Sequence, residues 1–440
     1  MSASHFEEFL NKVISKVKSK EAQGMIKKEL TNHLHELSQS FQSREASKEE
    51  ADEKAILEMG NPFSLGENLN RLHKPKMDWV LIVLFVIIAG ISFLPLVGKV
   101  PEMSVTSAYI MERQAIWYTL AILVIVGCLF FDYRKLKNVW MFCYGSGFIL
   151  LLYTSLFGFY VVNGIKRGII FFGFGLDITT LSLFLFFLAW AGIFTKINEF
   201  NSWKKQVLLF ILFWAPIFLF MLLPNFMFSI IYFFCILTMF AFSHVHKKVA
   251  FSLGVANMVA SVIFIITLFF TRRIYSFFTR LIAFINPDTD PNGAGYMYIL
   301  IRDILSQAGW FGNGLHNGLN TILPAAHTEY AFPYLVYSLG WIFGILLCLI
   351  LLLFISRISI TTFKTKDQYG RLLVMGGAAL FTISVFWNIL MGLGIVPIIG
   401  ISLPFISYGG SMLLFYSAIL GLILSVYRRK DIVEPMITNL

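Results

Sequence analysis

Residues 372–427 read LLVMGGAALFTISVFWNILMGLGIVPIIGISLPFISYGGSMLLFYSAILGLILSVY, and this stretch decides the fold. It contains no charged residue and is far longer than the roughly 20 apolar residues that one transmembrane helix needs. Proline and glycine interrupt it between Pro397 and Gly410, where a helix is not expected to continue. The stretch therefore predicts two membrane-spanning helices rather than one.

Apolar windows of this kind recur along the chain. Of its 440 residues, 57% are hydrophobic and 14% are charged, whereas a soluble domain carries about 25% charged residues. This composition excludes an ordinary soluble protein and predicts an all-α, polytopic membrane protein. The ten predicted spans cover residues 79–98, 114–132, 138–157, 177–195, 206–223, 226–243, 249–271, 333–356, 372–393 and 405–427.

The formal net charge of +10 is carried by the membrane part of the chain. Residues 1–77 hold 12 basic and 12 acidic side chains, which leaves 23 basic and 13 acidic ones for residues 78–440. Of those 23 basic residues, 15 fall in loops on the same side of the membrane as the N-terminus, and 8 fall in loops on the opposite side. Cytoplasmic loops of membrane proteins carry such an excess of Lys and Arg. We therefore expect both termini in the cytoplasm, and we interpret the charge as an orientation signal rather than a nucleic-acid signal.

The polar N-terminal segment, residues 1–77, predicts a separate helical domain. Apolar residues recur at three- and four-residue steps from Ser4 and again from Ala22 to Phe41, and a capping-box pattern at Ser47 opens a third run. This run ends at Gly60-Asn61-Pro62, so we expect a small cytoplasmic three-helix domain. It resembles the prefix domains that precede several bacterial permease-like membrane proteins. Residues 78–430 would then form the membrane domain, and residues 431–440 a cytoplasmic tail.

The connection between predicted spans seven and eight, residues 272–332, is far longer than ordinary helix connections. It is rich in apolar side chains and glycine, which argues against disorder and favours a packed, partly membrane-dipping structure. The charge count places it outside the cell. We expect any chemistry of the protein to lie in this outer loop.

Several segments with defined spacing stand in one order along the chain. The longest is Gly394-Ile-Val-Pro397-Ile-Ile-Gly400-Ile-Ser-Leu403-Pro404-Phe405-Ile406-Ser407-Tyr408-Gly409-Gly410-Ser411. The others are Arg113-Gln114, Asn163-Gly164-Ile-Lys-Arg167, Asp288-Thr-Asp290-Pro291-Asn-Gly293-Ala-Gly295-Tyr296, Gly309-Trp-Phe-Gly312-Asn-Gly314-Leu315, Leu323-Pro324 and His327-Thr328-Glu329-Tyr330. Together they resemble the SEDS family of shape, elongation, division and sporulation proteins, typified by FtsW, RodA and SpoVE.

The resemblance implies a peptidoglycan glycosyltransferase of the bacterial cytoplasmic membrane. Such a protein polymerises lipid II at the outer membrane face, among membrane lipids, with a class B penicillin-binding protein transpeptidase as partner. The family motif His-Thr-Asp-Phe supplies a catalytic carboxylate, and here Glu329 stands in that register, so the resemblance implies Glu329 as the catalytic base. His327 and Thr328 are the neighbouring substrate-binding candidates. Read alone, Glu329 could equally be a solvated loop carboxylate.

The leaving pyrophosphate of lipid II requires positive charge. Arg113 precedes the family's glutamine, and Arg167, with Lys166 beside it, stands where the family has the arginine of its Asn-Gly-x-x-Arg motif. The alternative for each is that the side chain extends to lipid headgroups, as boundary Arg and Lys commonly do. Asp288 and Asp290 could bind a divalent cation such as Mg²⁺ or Mn²⁺, but turn capping is the favoured interpretation. No cofactor is certain from the sequence, the divalent cation stays an open alternative, and no metal-ligating residue is assigned.

The long signature segment contains no acid or base that could activate a serine. We interpret it as a structural element that supports the substrate cavity. The residues that define this element are Pro397, Pro404, Ser407, Tyr408, Gly409 and Gly410.

Departures from the family pattern keep two alternatives open. Where the family has acidic residues, this chain has Asp177 in a changed context, Asn225, Ala325 and Tyr337-Ser338. A lipid II flippase or transporter would fit the proline-broken segments. A non-catalytic scaffold for the transpeptidase would fit the missing acids.

Overall fold

The computed structural model describes residues 2–43, 47–97, 107–158, 160–162, 165–171, 174–223, 225–270, 275–315 and 322–430. The predicted tail, 431–440, lies outside these residues. The chain divides into two compact units. The first comprises Met1–Asp78, Lys364–Lys366 and Val426–Leu440, and the second comprises Trp79–Phe363 and Asp367–Ser425.

The N-terminal segment of the first unit holds four helices, one more than the sequence predicted: α1 (Ser2–Ser15), α2 (Lys20–Gln42), α3 (Lys48–Met59) and α4 (Pro62–Leu72). The capping box at Ser47 is present as predicted. The additional helix is α4, which begins at Pro62, where the sequence analysis expected the third and last helix of this domain to end. Asn61 accepts hydrogen bonds from two backbone N–H groups of the first turn of α4, and Pro62 occupies the first helical position. Proline is well suited to that position because its missing N–H would have no partner there, so Gly60-Asn61-Pro62 ends one helix and starts the next.

The membrane part is built from twelve helices in the described residues: α5 (Trp79–Ile91), α6 (Ser107–Phe130), α7 (Trp140–Phe157), α8 (Ile178–Thr195), α9 (Trp203–Leu222), α10 (Phe226–Ala241), α11 (Lys247–Phe270), α12 (Tyr275–Ile285), α13 (Tyr296–Ser306), α14 (Ala331–Lys364), α15 (Gln368–Gly392) and α16 (Gly410–Arg429). Within the described part of the chain, eight helical segments are long and apolar enough to cross a membrane, and they contain α5 to α9 and α14 to α16. The polytopic helical class is therefore confirmed. Helices α10 and α11 lie where the other two spans are predicted, and the total of ten stays a prediction.

The structure also contains a small sheet that the all-α prediction did not include. Strands β1 (Tyr160–Val162), β2 (Ile165–Phe171) and β3 (Phe174–Asp177) pair antiparallel in the order β1-β2-β3. Their sequence is rich in Val, Ile and Phe, and Asn163-Gly164 separates the first two strands in the sequence. Both features favour a β-hairpin over a helix.

The predicted outer loop, 272–332, is partly helical. It contains α12 and α13, while residues 271–274 and 316–321 lie outside the described part. Its Gly309–Gly314 segment is joined to α14, where Gly340 departs from helical geometry with φ of 87°. The N–H groups of Gly314 and Trp341 donate to the carbonyls of Ser338 and Gly309 at 2.8 and 3.0 Å. Because the helix is interrupted at Gly340, backbone groups of α14 on both sides of it are available to form hydrogen bonds with the Gly309–Gly314 segment of the outer loop.

Two of the departures from the family pattern serve as helix caps. The Asp177 carboxylate accepts from the Thr180 N–H at 3.1 Å and begins α8. The Asn225 side chain accepts from the Phe228 N–H at 3.4 Å and begins α10. Asp and Asn are favourable in this position because their side-chain oxygens satisfy N–H groups of the first turn.

Candidate functional site

The His327-Thr328-Glu329 motif lies in a tight turn directly before α14. The turn is organised by the Ala325 carbonyl, which accepts hydrogen bonds from the N–H groups of Thr328 and Tyr330 at 3.0 and 3.2 Å. Ala325 adopts a positive φ of 52°, an unfavourable conformation for a residue with a side chain. Such strain persists where surrounding contacts impose it, and it is frequent at functional sites.

The signature segment forms the irregular connection between α15 and α16. Helix α15 ends at Gly392 and α16 begins at Gly410, so the predicted span 405–427 starts five residues too early. The backbone groups released by Pro397 and its neighbour find partners. The Trp387 indole N–H donates to the Pro397 carbonyl at 3.2 Å, and the Ile398 N–H donates to the Tyr298 hydroxyl of α13 at 2.9 Å. The hydrogen-bonding groups of this irregular backbone thus have partners within the protein, as they must where no water is present to bond them.

Hydrogen bonds join the motif turn to the signature segment. The Tyr408 N–H donates to the His327 carbonyl at 2.8 Å, and the Ser407 hydroxyl donates to the Thr328 carbonyl. The same Ser407 hydroxyl accepts from the Leu403 N–H at 2.8 Å. The His327 ring is buried and lies 5.8 Å from the Tyr408 ring. Two segments far apart in the sequence therefore form one structural unit, with Glu329 at its edge.

Asn388 is a site residue that the sequence analysis missed. Its side chain is fully buried, and its Nδ2 atom donates to the Glu329 carbonyl at 2.8 Å and to the Ile401 carbonyl at 2.6 Å. Because both partners are acceptors, the amide orientation is unambiguous. A signal was available in the sequence, since Asn388 is a polar amide inside a mostly apolar span, and polar groups inside membrane spans are commonly retained for a purpose.

Replacing Asn388 with Leu is expected to lower the free energy of unfolding by about 2 kcal/mol, because two hydrogen bonds worth about 1 kcal/mol each are lost. Asn388→Asp should be more damaging, since it would place a carboxylate against the carbonyls of Glu329 and Ile401. Thermal unfolding of the detergent-solubilised variants measures both effects. Wild-type stability of Asn388→Asp would show that this bridge does not hold the site.

The Glu329 carboxylate lies against Gly400. Glu329 is half-buried, and a methyl group placed on Gly400 would come within 2.8 Å of its Oε1 atom. Gly400 has φ of +71°, a conformation that glycine adopts without strain. Gly400 in the signature segment therefore leaves space for this carboxylate, and a side chain there would displace it.

Arg113 supplies the positive charge next to this unit. Its guanidinium lies on the exposed side of α6, 5.2 Å from the centre of the Tyr109 ring. Burial raises the pKa of the Tyr408 phenol, while the charge of Arg113 and a hydrogen bond from it act in the opposite direction. Because the net pKa change is upward from an ordinary value near 10, Tyr408 stays neutral at physiological pH. Arg113 thus lies beside a neutral hydrogen-bonding partner and close to the motif turn.

Helix α6 also fixes the signature segment by packing. The Tyr118 hydroxyl donates to the Phe405 carbonyl, and Phe405 has a positive φ of 62° with its ring buried against Phe85. A methyl group on Gly410 would come within 2.3 Å of the Trp117 ring. The absence of a side chain at Gly410 therefore lets the start of α16 lie close to the Trp117 ring.

The remaining predicted site residues are Lys166, Arg167, Asp288 and Asp290. Lys166 and Arg167 lie on β2, but their side chains are outside the part that the structure describes. Asp290 accepts from the Ala294 N–H at 2.9 Å, and the Asp288 carboxylate lies 3.9 Å from the Arg302 guanidinium. Among the described residues, no group of three or more His, Cys, Asp or Glu side chains could hold a metal ion. The contacts of the two aspartates are those of a capped turn and a surface ion pair.

The fold and site define a class of membrane protein in which a strained turn bearing a carboxylate docks on a Pro- and Gly-rich connection between two membrane helices. The sequence profile of the FtsW/RodA/SpoVE family, described as cell cycle protein, matches residues 75–432. The chain belongs to this family.

Related sequences with assigned names match parts of the chain. The protein named probable peptidoglycan glycosyltransferase FtsW of Trichlorobacter lovleyi is 34% identical over 33% of this chain and 39% of its own length. Peptidoglycan glycosyltransferase MrdB of Escherichia coli K12 is 29% identical over 42% of this chain and 50% of its own length. The chain thus matches half or less of the length of these relatives.

Solved structures show the same fold over a larger part of the chain. A chain from a peptidoglycan synthase complex superposes with a TM-score of 0.66 at 21% identity, covering 80% of this chain and 98% of that one. The rod shape determining protein RodA of Thermus thermophilus superposes with a TM-score of 0.58 at 19% identity, covering 80% and 97%.

Proposed function

We propose that the protein is a peptidoglycan glycosyltransferase that polymerises lipid II at the outer face of the bacterial cytoplasmic membrane. One observation carries the proposal: Asn388 and the bonds between the motif turn and the signature segment fix the backbone at Glu329, and the Glu329 carboxylate lies beside Gly400. The names of the related glycosyltransferases support this activity.

The chemistry requires one base and one site of positive charge. The Glu329 carboxylate takes the proton from the 4-hydroxyl of the acceptor sugar as that oxygen forms a bond to the anomeric carbon of the donor. The bond between that carbon and the pyrophosphate oxygen breaks, and the electron pair leaves with the lipid pyrophosphate. General base catalysis of this kind contributes about 10²–10⁴-fold to a rate.

Arg113 is the proposed partner of the departing pyrophosphate. Its side chain is exposed and interacts with Tyr408, and Tyr408 in turn is bonded to the motif turn. Lys166 and Arg167 are proposed as further pyrophosphate ligands on the strength of their sequence motif. His327 is buried and Thr328 bonds through its carbonyl, so we propose that these two position Glu329 rather than bind substrate directly. Glu329 is one methylene longer than the family's aspartate, and Gly400 provides the space for it.

A class B penicillin-binding protein is the proposed partner, and membrane lipids are the proposed surroundings. The structural similarity to a chain from a peptidoglycan synthase complex supports such an assembly. The charge distribution supports cytoplasmic termini, a cytoplasmic prefix domain at residues 1–77 and a membrane domain at 78–430. No step of this proposal is assigned to a divalent cation; Asp290 accepts a hydrogen bond in a turn, and Asp288 forms a surface ion pair with Arg302.

Polymerisation of lipid II by the purified protein in detergent separates this proposal from its alternatives. A flippase needs two compartments and would leave lipid II unchanged in micelles, whereas a polymerase forms glycan strands there. A scaffold would also leave lipid II unchanged, and would do so with and without a cognate transpeptidase. We expect glycan strands, resolved by length on a gel.

A further inference from the structure

Two adjoining cavities lie at the end of the helix bundle opposite to Glu329. His244, between α10 and α11, lies 2.6 Å from the Arg371 guanidinium in the first turn of α15. Asn388, which contacts Glu329, is near the other end of the same helix. Seventeen residues of α-helix separate Arg371 from Asn388, a distance of about 25 Å at a rise of about 1.5 Å per residue. The two cavities therefore belong to the other membrane leaflet.

The first cavity, which we call the basic mouth, has a volume of about 540 Å³ and lies between the first turns of α9 and α11. Most of its lining residues are of polar type, two of them are lysines, and no acidic residue of the described part of the chain lines it. The Ser252 hydroxyl and the Gln206 side chain join the two helices at 3.1 Å. The lining residues that matter here are Gln206, His246, Lys247, Lys248 and Ser252.

The second cavity, which we call the apolar chamber, has a volume of about 370 Å³ and lies among α8, α9, α10 and α11. Aromatic and aliphatic side chains line it, including Trp190, Phe213 and Phe240. A methyl group placed on Gly254 would find no atom within 4 Å, so this glycine faces open space. Met258 lines the chamber and is also exposed at the protein surface, which gives the chamber an opening towards the membrane.

The two cavities adjoin one another along both helices. On α11, Ser252 lines the basic mouth and Leu253 lines the apolar chamber. On α9, Gln206 lines the mouth, and Leu209, one turn further on, lines the chamber. A charged recess thus lies next to an apolar space of a size typical for ligand sites, about 300–1,000 Å³.

We propose that the basic mouth and the apolar chamber form one binding site for an anionic phospholipid of the leaflet opposite to Glu329. Lys247 and Lys248 would bind the phosphate, and one acyl chain would fill the chamber between α9 and α11. Lysines at a membrane boundary attract anionic headgroups, and a dry apolar cavity accepts apolar ligands. The proposal rests on the two lying side by side, with lysines at the mouth and an apolar space next to it.

Native mass spectrometry of the full-length, delipidated protein tests the site, with phosphatidylglycerol and phosphatidylcholine as the two probes. We expect one phosphatidylglycerol to remain bound at an energy that removes phosphatidylcholine. Gly254→Leu should remove this bound lipid because the leucine side chain fills the chamber. The matched control is Gly127→Leu, since Gly127 also lies in a membrane helix and faces open space.

Charge is tested separately by the double variant Lys247→Gln/Lys248→Gln, which should weaken phosphatidylglycerol binding by about tenfold or more. Its control is Lys135→Gln/Lys137→Gln, in another basic connection, which should bind as the wild type does. Equal retention of both lipids, or equal losses in the test and control variants, would overturn the proposal. The lysine variants keep this test decisive if Gly254→Leu does not fold.

Discussion

Lipid II polymerisation by Glu329→Gln is expected to fall by about 10²–10⁴-fold relative to wild type, because glutamine keeps the size of the side chain but cannot accept the proton. The structure fixes the backbone of this residue and places its side chain beside the signature segment. The Glu329 carbonyl accepts from Asn388, and its carboxylate lies against Gly400. An isosteric amide should leave these contacts in place, so stability should be preserved while turnover is lost. Initial rates of glycan formation measure the effect.

The matched control is Glu112→Gln, an exposed acid on α6 one residue from Arg113. It removes one negative charge near the same membrane boundary but leaves the base intact, so its rate should stay near that of wild type. If Glu329→Gln polymerises lipid II as fast as Glu112→Gln, the carboxylate has no part in the reaction.

The second large effect is expected at Gly400. Gly400→Ala would place a methyl group within 2.8 Å of Glu329 Oε1 and push the carboxylate away from its position. Displacing a catalytic group by about 1 Å can cost about 10²-fold in rate, so we expect a loss of that size. The unfavourable φ of +71° adds about 1–2 kcal/mol of backbone strain.

Gly394→Ala separates these two contributions. Gly394 has nearly the same φ, +72°, but a methyl group there meets no atom within 4 Å. Both variants should lose a similar amount of stability, and only Gly400→Ala should lose activity beyond that. Similar rates for the two variants would mean that space beside Glu329 is not a requirement of the site.

The sequence predicted the membrane helices well because each depends on local composition. The run 372–427 divides into two helices as expected, and the spans beginning near Trp79 and Ala331 also coincide with helices. The sequence analysis missed elements that are marked by only two or three residues, or by residues that are equally typical of another structure. Asn61-Pro62 resembles a helix end as much as a helix start. The only local signal for pairing β1 with β2 is the Asn163-Gly164 dipeptide that stands between them in the sequence, inside an apolar region.

The candidate site was predicted in part. Glu329, Arg113 and Tyr408 were selected from motifs, and the structure brings the motif turn, the signature segment and α6 together around them. Asn388 and Gly400 were not selected. Their roles depend on contacts across long stretches of sequence, from Asn388 to the Glu329 carbonyl and from Gly400 to the Glu329 carboxylate. Neither a local pattern nor a residue type specifies such contacts.

The most direct test of the central claim is the length distribution of glycan strands formed from lipid II by the purified protein alone in detergent, compared with Glu329→Gln in the same assay. The account predicts strands of many disaccharides for wild type and unreacted lipid II for the variant. Unreacted lipid II in both samples, or strands of equal length in both, would contradict it.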